Sequence, residues 1–296
     1  MANLKEVKNR IASVVSTQQI TKAMKMVAAA KLRKSQERVT QMRPYASKLD
    51  AILRNLSQAQ TSGDGDKWYS QIREEKRILI VAVSSDRGLC GSFNSTVFKG
   101  VARLIQDKYE IQHKKGNVII MPIGRKSAEY FVKRKFEVLN QYVSLFGNLN
   151  FENASIATDT IIKSFRNGEF DKVEVVYNEF KNVATQILRR EQLLPVLLPT
   201  ETNVTSTNPI DYIYQPSQEE IIVEMIPNSL KVQLFKALLD SNAAENGARM
   251  TAMDKATENA GDLLKELRLS YNRSRQAAIT KEILEIVGGA EALKSA

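Results

Sequence analysis

Apolar residues recur at alternating steps of three and four from Leu4 to Leu56. Counted from Leu4, twelve of sixteen such positions are apolar, and no glycine falls between residues 3 and 60. This heptad-like spacing predicts one long helix with a coiled-coil seam, roughly 85 Å long at about 1.5 Å per residue. The polar exceptions are Gln18, Thr21, Lys25 and Ser35, so the seam is expected to loosen between residues 18 and 25. Pro44 is expected to bend or break the helix.

The pattern changes after TSGDGDKW, a linker by composition that begins at Thr61. RILIVAVSS, NVIIMPIG and KVEVVYNEF are short β-branched runs. SFNSTVFKGVARLIQDKY, RKSAEYFVKRK and ASIATDTIIKSFRNG have helical spacing, the last ending at Gly168. Alternation of strand and helix predicts a small open α/β sheet. From about Gln218 to Val287 the three-four spacing returns, interrupted by Pro227. Its seam runs through Leu230, Leu234, Ala237, Ser241, Ala244 and Ala248, then Met253, Ala256, Ala260, Leu263, Leu267, Ser270, Ser274 and Ala277. Small seam residues allow a partner helix close approach. The expected division is a helix over 1–60, a linker over 61–75, a globular domain over 76–207 and a second long helix over 208–296. The fold class is α/β: terminal helices paired in a long antiparallel coiled coil, with a Rossmann-like open α/β domain inserted between them. If the helix ends are level, Leu4 lies near residue 270 and about 25 residues of the last helix project beyond it. That tip carries Ile279, Ile283, Ile286 and Val287.

Charge adds a partner to this picture. The net charge is +10, and residues 1–60 carry twelve Lys/Arg against three acids, which is nearly the whole excess. Such a segment faces something acidic: nucleic acid, lipid head groups or a protein surface. The single cysteine rules out an internal disulfide. No apolar run reaches the roughly 20 residues of a membrane span. An initiator methionine directly before the first helix suggests a bacterial protein.

SSDRGLCG, Ser84–Gly91, is a turn between an apolar strand and a helix, where α/β enzymes hold phosphates or a nucleophile. It matches neither GxxxxGK[ST] nor GxGxxG. Gly88 and Gly91 fit a tight turn or an anion-binding nest. Cys90 is either a nucleophile at a helix start or a buried, inert thiol. The only histidine, His113, lies in the IQHKKG loop and would have to fold back to serve Cys90. One His and one Cys make a zinc or other N/S metal site improbable. Glu74–Glu75 and Glu219–Glu220 read as solvated pairs. Polar residues of the last helix (Arg249, Asn259, Asn272, Arg273, Arg275, Gln276 and Thr280) exceed what a stem requires.

Four segments, ITKAMKMVAAAKLRKSQ (Ile20–Gln36), SSDRGLCGSFN (Ser84–Asn94), ARMTAMDKATENAG (Ala248–Gly261) and YNRSRQAAITKEILEIVGGAEAL (Tyr271–Leu293), resemble the gamma subunits of F-type ATP synthases in order and spacing. The resemblance implies a central rotor shaft that performs no bond chemistry and holds no cofactor. Its implied partners are a ring of alpha and beta subunits, the epsilon subunit and the membrane c ring, turned by proton or sodium flow. Met24, Lys25, Arg249, Arg275 and Gln276 match the family's beta-contact zone, the last two its catch on a beta loop. Ile279, Ile283, Ile286 and Val287 match the apolar tip that turns in a bearing of alpha and beta. Asp211, Tyr212 and Tyr214 match the foot on the c ring. The implied location is peripheral, on the cytoplasmic side of the bacterial inner membrane. The inserted regulatory segment of photosynthetic relatives is lacking, and Cys90 has no redox partner. The competing readings are a basic coiled coil that binds nucleic acid, although its cations are not interleaved with aromatics, and an enzyme built around SSDRGLCG.

Overall fold

The structure, a computed structural model, describes residues 4–59, 68–196 and 218–294. The chain divides into two compact units, Met1–Ala28 with Met250–Ala296, and Ala29–Arg249. Helix α1 spans Leu4–Ala59 and α6 spans Gln218–Lys294. Between them come β1 (Ile78–Val83), α2 (Phe93–Lys108), α3 (Glu110–Lys114), β2 (Val118–Ile123), α4 (Arg125–Lys133), β3 (Glu137–Val138), two 3-10 turns, α5 (Phe151–Arg166), β4 (Lys172–Phe180) and β5 (Gln186–Leu194).

In the Ala29–Arg249 unit the sheet order is β3-β2-β1-β4-β5, parallel except for β5. Strands β1 and β2 are buried along their whole length, as a sheet covered on both faces requires. Ile78, Ile80, Ala82 and Val176 point to the face packed by α2 and Phe131 of α4. Leu79, Val81, Val83, Val175 and Tyr177 point to the other, packed by α5 and by Ile226, Leu230, Leu234 and Leu238 of α6. Asn150 starts α5 by accepting the Asn153 amide at 2.8 Å, three residues before the ASIATDT run suggests a helix.

Strand β5 escapes the sequence pattern because QILRREQLL is an edge strand with a charged outer face. A tight turn joins it to β4: the Asn182 carboxamide accepts the Thr185 amide at 2.7 Å. Tyr69, beyond the described start of the linker, is buried in the main core, and its carbonyl accepts the Val196 amide. Neither proline ends its helix; α1 runs through Pro44 and α6 through Pro227. Packing on both sides holds the chain helical there. Arg43 bonds Asp240 and Ile52 joins the core, while Ile226 and Leu230 are buried around Pro227.

In the other unit α1 and α6 run antiparallel. Every described seam position from Leu4 to Ala28 is at least half-buried. The polar stretch expected to loosen the seam instead interlocks. The Thr21 and Thr257 hydroxyls meet at 2.8 Å, the Gln18 carboxamide reaches the Thr257 carbonyl, and Lys25 pairs with Asp254 at 2.5 Å. Gly261 leaves room for Gln18: a Cβ there would sit 3.1 Å from Nε2. Polar pairs in a seam fix register, here through Thr21 and Thr257 in the partly buried seam, with the more exposed Lys25–Asp254 pair at its edge. Farther along α6 the seam departs from the expected positions. Ser270 and Ala277 are exposed, while Leu264, Tyr271 and Ala278 turn inward. A straight helix drifts from a strict seven-residue repeat, and the larger Leu and Tyr side chains take the buried side.

Gly124, between β2 and α4, has φ 105°, and a Cβ there would lie 2.2 Å from the Ser84 carbonyl oxygen. Gly124→Ala should therefore cost about 3 kcal/mol. Gly261→Ala should gain about 0.5–1 kcal/mol, because the end of Gln18 can move and alanine favours helix. Denaturant unfolding of the full chain measures both, and equal effects of the two changes would contradict the geometry.

Candidate functional site

The SSDRGLCG turn sits at the carboxyl ends of β1 and β2, beside the point where sheet order reverses. Open α/β sheets bind ligands in that crevice. Here the protein's own groups occupy it. The Ser85 amide donates to Asn94 Oδ1 at 3.0 Å, Asn94 Nδ2 donates to Ser85 Oγ at 2.7 Å, and Ser85 Oγ donates to the Arg87 carbonyl at 2.7 Å. The first-turn amides of α4, which could cradle a phosphate, are engaged as well. Arg125 N donates to Asp86, Lys126 N to the Ser85 carbonyl, and Ser127 N to Ser84 Oγ. Cys90 is 2% exposed and packs with Phe93 against Ala244, Ala248 and Phe180.

His113 is in α3, not a loop, and stacks on Phe136. It precedes the start of β2, whereas Cys90 follows the end of β1. Since Ile78 pairs with Val118, about 20 Å of strand separates the two. No cluster of three or more His, Cys, Asp or Glu side chains could hold a metal ion among the described residues. Glu74 pairs with Lys76, and Glu75 with Lys172.

Helix α6 closes the crevice. From Ala237 to Ala248 none of its residues is exposed, and the small side chains there let neighbouring elements approach closely. Arg43 Nη2 donates both to Asp240 Oδ1 at 2.9 Å and to the Phe180 carbonyl at 3.0 Å. Asp240 is fully buried, and burial pushes its carboxyl above the usual aspartate range, Arg43 pulling it back only in part. Ser35 donates to Asn242 at 2.7 Å. The expected seam positions Ala237, Ser241, Ala244 and Ala248 are buried, and Asp240 and Asn246, outside that spacing, are buried with them.

Arg249 also turns inward. Its guanidinium donates to the Gly88 carbonyl at 2.5 Å, the Arg87 carbonyl at 3.1 Å and Glu245 at 2.6 Å. Of the other expected contact residues, Met24 and Lys25 are half-buried, with Lys25 paired to Asp254. Arg275 and Gln276 are exposed, and the Gln276 carbonyl accepts the Thr280 hydroxyl. Ile279, Ile283, Ile286 and Val287 are all exposed, between 47% and 72%. Asp211, Tyr212 and Tyr214 lie outside the described residues.

A sheet domain with a filled ligand crevice, bearing long helices that display apolar and polar side chains outward, defines a protein that works by contact with other chains. The comparisons say which. A family model described as ATP synthase matches residues 3–293. The ATP synthase gamma chain of Cytophaga hutchinsonii is 56% identical over 296 residues, covering all of both chains. That of Flavobacterium johnsoniae is 52% identical over 293 residues, covering 99% of each. Among solved structures, a chain of the Tetrahymena thermophila mitochondrial ATP synthase central stalk and c ring is 26% identical with a TM-score of 0.57, covering 80% of this chain and 99% of that one. A Euglena gracilis mitochondrial ATP synthase chain shares the fold at 17% identity, with a TM-score of 0.65 over 98% of this chain and 94% of that one. The chain belongs to the ATP synthase gamma-chain family, a non-catalytic subunit of that complex.

Two outcomes follow. Cys90→Ser should leave ATP turnover of the assembled complex within about twofold, because the thiol is buried and a hydroxyl can keep its contacts with Asn94 and Ser85; an abolished activity would restore the nucleophile reading. Asp240 binds its proton more tightly folded than unfolded, so its contribution to stability falls as pH rises above about 4. The unfolding midpoint of Asp240→Asn, measured against wild type, should shift in the variant's favour between about pH 4 and pH 7.

Proposed function

We propose that the chain is the central rotor shaft of a bacterial F-type ATP synthase, peripheral to the cytoplasmic face of the inner membrane. Ion flow turns the c ring and, with it, this subunit. Each orientation binds the surrounding beta subunits differently, and that difference drives their sites through successive nucleotide affinities. The end-to-end match to curated gamma chains carries the reading. The filled crevice supports it, since a shaft needs no ligand site of its own. No helix among the described residues is long and apolar enough to cross a membrane.

Within this reading Met24, Lys25, Arg275 and Gln276 meet beta. The cations of α1 complement acidic beta surface, and Arg275 offers a carboxylate a two-pronged donor. The exposed side chains Ile279, Ile283, Ile286 and Val287 turn within an apolar bearing of alpha and beta, where non-directional apolar contact avoids a deep well at any one angle. Epsilon and the c ring contact the sheet domain and the foot at Asp211, Tyr212 and Tyr214. The nucleic-acid reading is poorly supported, because α1 carries one aromatic residue, Tyr45, on which a base could stack.

Affinity purification of the tagged chain should recover alpha, beta and epsilon. Recovery of nucleic acid in their place, released steeply by salt, would favour the alternative. Arg275→Ala and Gln276→Ala should each lower ATPase turnover of the assembled complex about threefold or more, while the chain stays folded and assembled. Unchanged turnover and coupling in both would remove the catch assignment.

A further inference from the structure

We propose that Arg249 is a positioning residue that locks α6 to the β1–α2 turn and so resists twisting of the helix against the sheet domain. The inference rests on the rotor reading for its functional consequence, but not for its structural one. The Arg249 side chain is 13% exposed and Glu245 16%, so the guanidinium is committed inside the chain. Two of its three acceptors are consecutive main-chain carbonyls, Arg87 and Gly88, which a planar fork can bridge. Glu245, one turn earlier on α6, holds the same Nη2 at 2.6 Å and fixes the direction of the fork.

The turn it grips carries backbone strain, which Arg249 shares in holding with Ser85, whose Oγ donates to the same Arg87 carbonyl. Leu89 has φ 65°, in the left-handed region that non-glycine residues avoid, and its side chain is 65% exposed. Packing of Leu89 therefore does not hold the strained backbone; such conformations persist when surrounding groups impose them. Helix α6 also packs the methyl faces of Ala244 and Ala248 on Cys90 and Phe93. Apolar contacts are non-directional and tolerate rotation of a helix about its own axis. Hydrogen bonds to two carbonyls do not. A turn of one residue, about 100°, would carry Arg249 away from both.

Cys90, the only cysteine, lies inside the gripped turn and reports on it. In the full-length chain, alkylation of Cys90 should run on the order of tenfold faster in Arg249→Ala, with Glu245→Gln and Arg249→Lys between that variant and wild type. In the assembled complex, gradient-driven ATP synthesis relative to ATP hydrolysis by the same preparation should fall about threefold or more in Arg249→Ala. Arg249→Lys should recover part of it. A residue that only stabilised the fold would lower the amount of complex, not this ratio. Unchanged Cys90 kinetics in Arg249→Ala would overturn the lock, and so would faster alkylation with an unchanged ratio. If Arg249→Ala does not fold, Glu245→Gln decides by the same two measurements. Failure of the rotor reading would show separately, as a wild-type chain that does not copurify with alpha and beta.

Discussion

Small side chains let neighbouring elements approach a helix closely from several sides, and this close approach governs the enclosed part of α6 in the Ala29–Arg249 unit. Between Ala237 and Ala248 helix α6 is enclosed throughout, and the sequence there is ALLDSNAAENGA. A Cβ at Gly247 would already touch the Phe180 ring at 3.4 Å and the Val183 backbone at 3.6 Å, leaving no room for a longer side chain. Larger residues would push the helix off the carboxyl ends of β1 and β4 and reopen the crevice where doubly wound sheets hold their ligands. The fold thus keeps a nucleotide-domain architecture while spending the ligand position on a helix of the same chain. A scaffold that elsewhere serves chemistry here serves mechanical attachment.

Enclosure at that density leaves polar groups few partners. Asp240 Oδ2, Ser241 Oγ and Asn178 Oδ1 are buried without a hydrogen bond. A buried carboxylate bound on one oxygen stabilises little, since desolvation offsets most of its attraction to Arg43. Its contribution is directional. Arg43 ties α1 to both α6 and the end of β4 through one guanidinium, so three elements share a single fixed point.

Much of this was legible in the sequence. The alternation of three and four along α1 placed the seam correctly at all its described positions, because side-chain burial on a helix follows the period directly. Strands β1 and β2 were visible because both faces are covered, so they read as unbroken apolar runs, and β4 because β-branched and aromatic residues dominate its buried centre despite Glu174. Edge strand β5 was not visible, since half of it meets water. The persistence of helix through Pro44 and Pro227 was hidden too, because tertiary packing outweighs a local preference. At the candidate site, composition could mark Arg249 as unusual but not say whether it faced outward, for an arginine that grips main-chain carbonyls leaves no signature at the residues it grips. The interlock at Gln18, Thr21 and Lys25 looked like weakness for a related reason: its complements, Thr257, Gly261 and Asp254, lie more than two hundred residues away.

That interlock also determines how the paired helices answer a pull along their length. Slide one past the other by a heptad, and Thr21 comes opposite Leu264 in one direction or Met250 in the other. The cross-helix contacts of Gln18, Thr21 and Lys25 are then lost together, each hydroxyl keeping only the bond to its own helix, and nothing replaces them at the next repeat, where no second set of partners waits. The stem can flex sideways at modest cost, yet it has only one length.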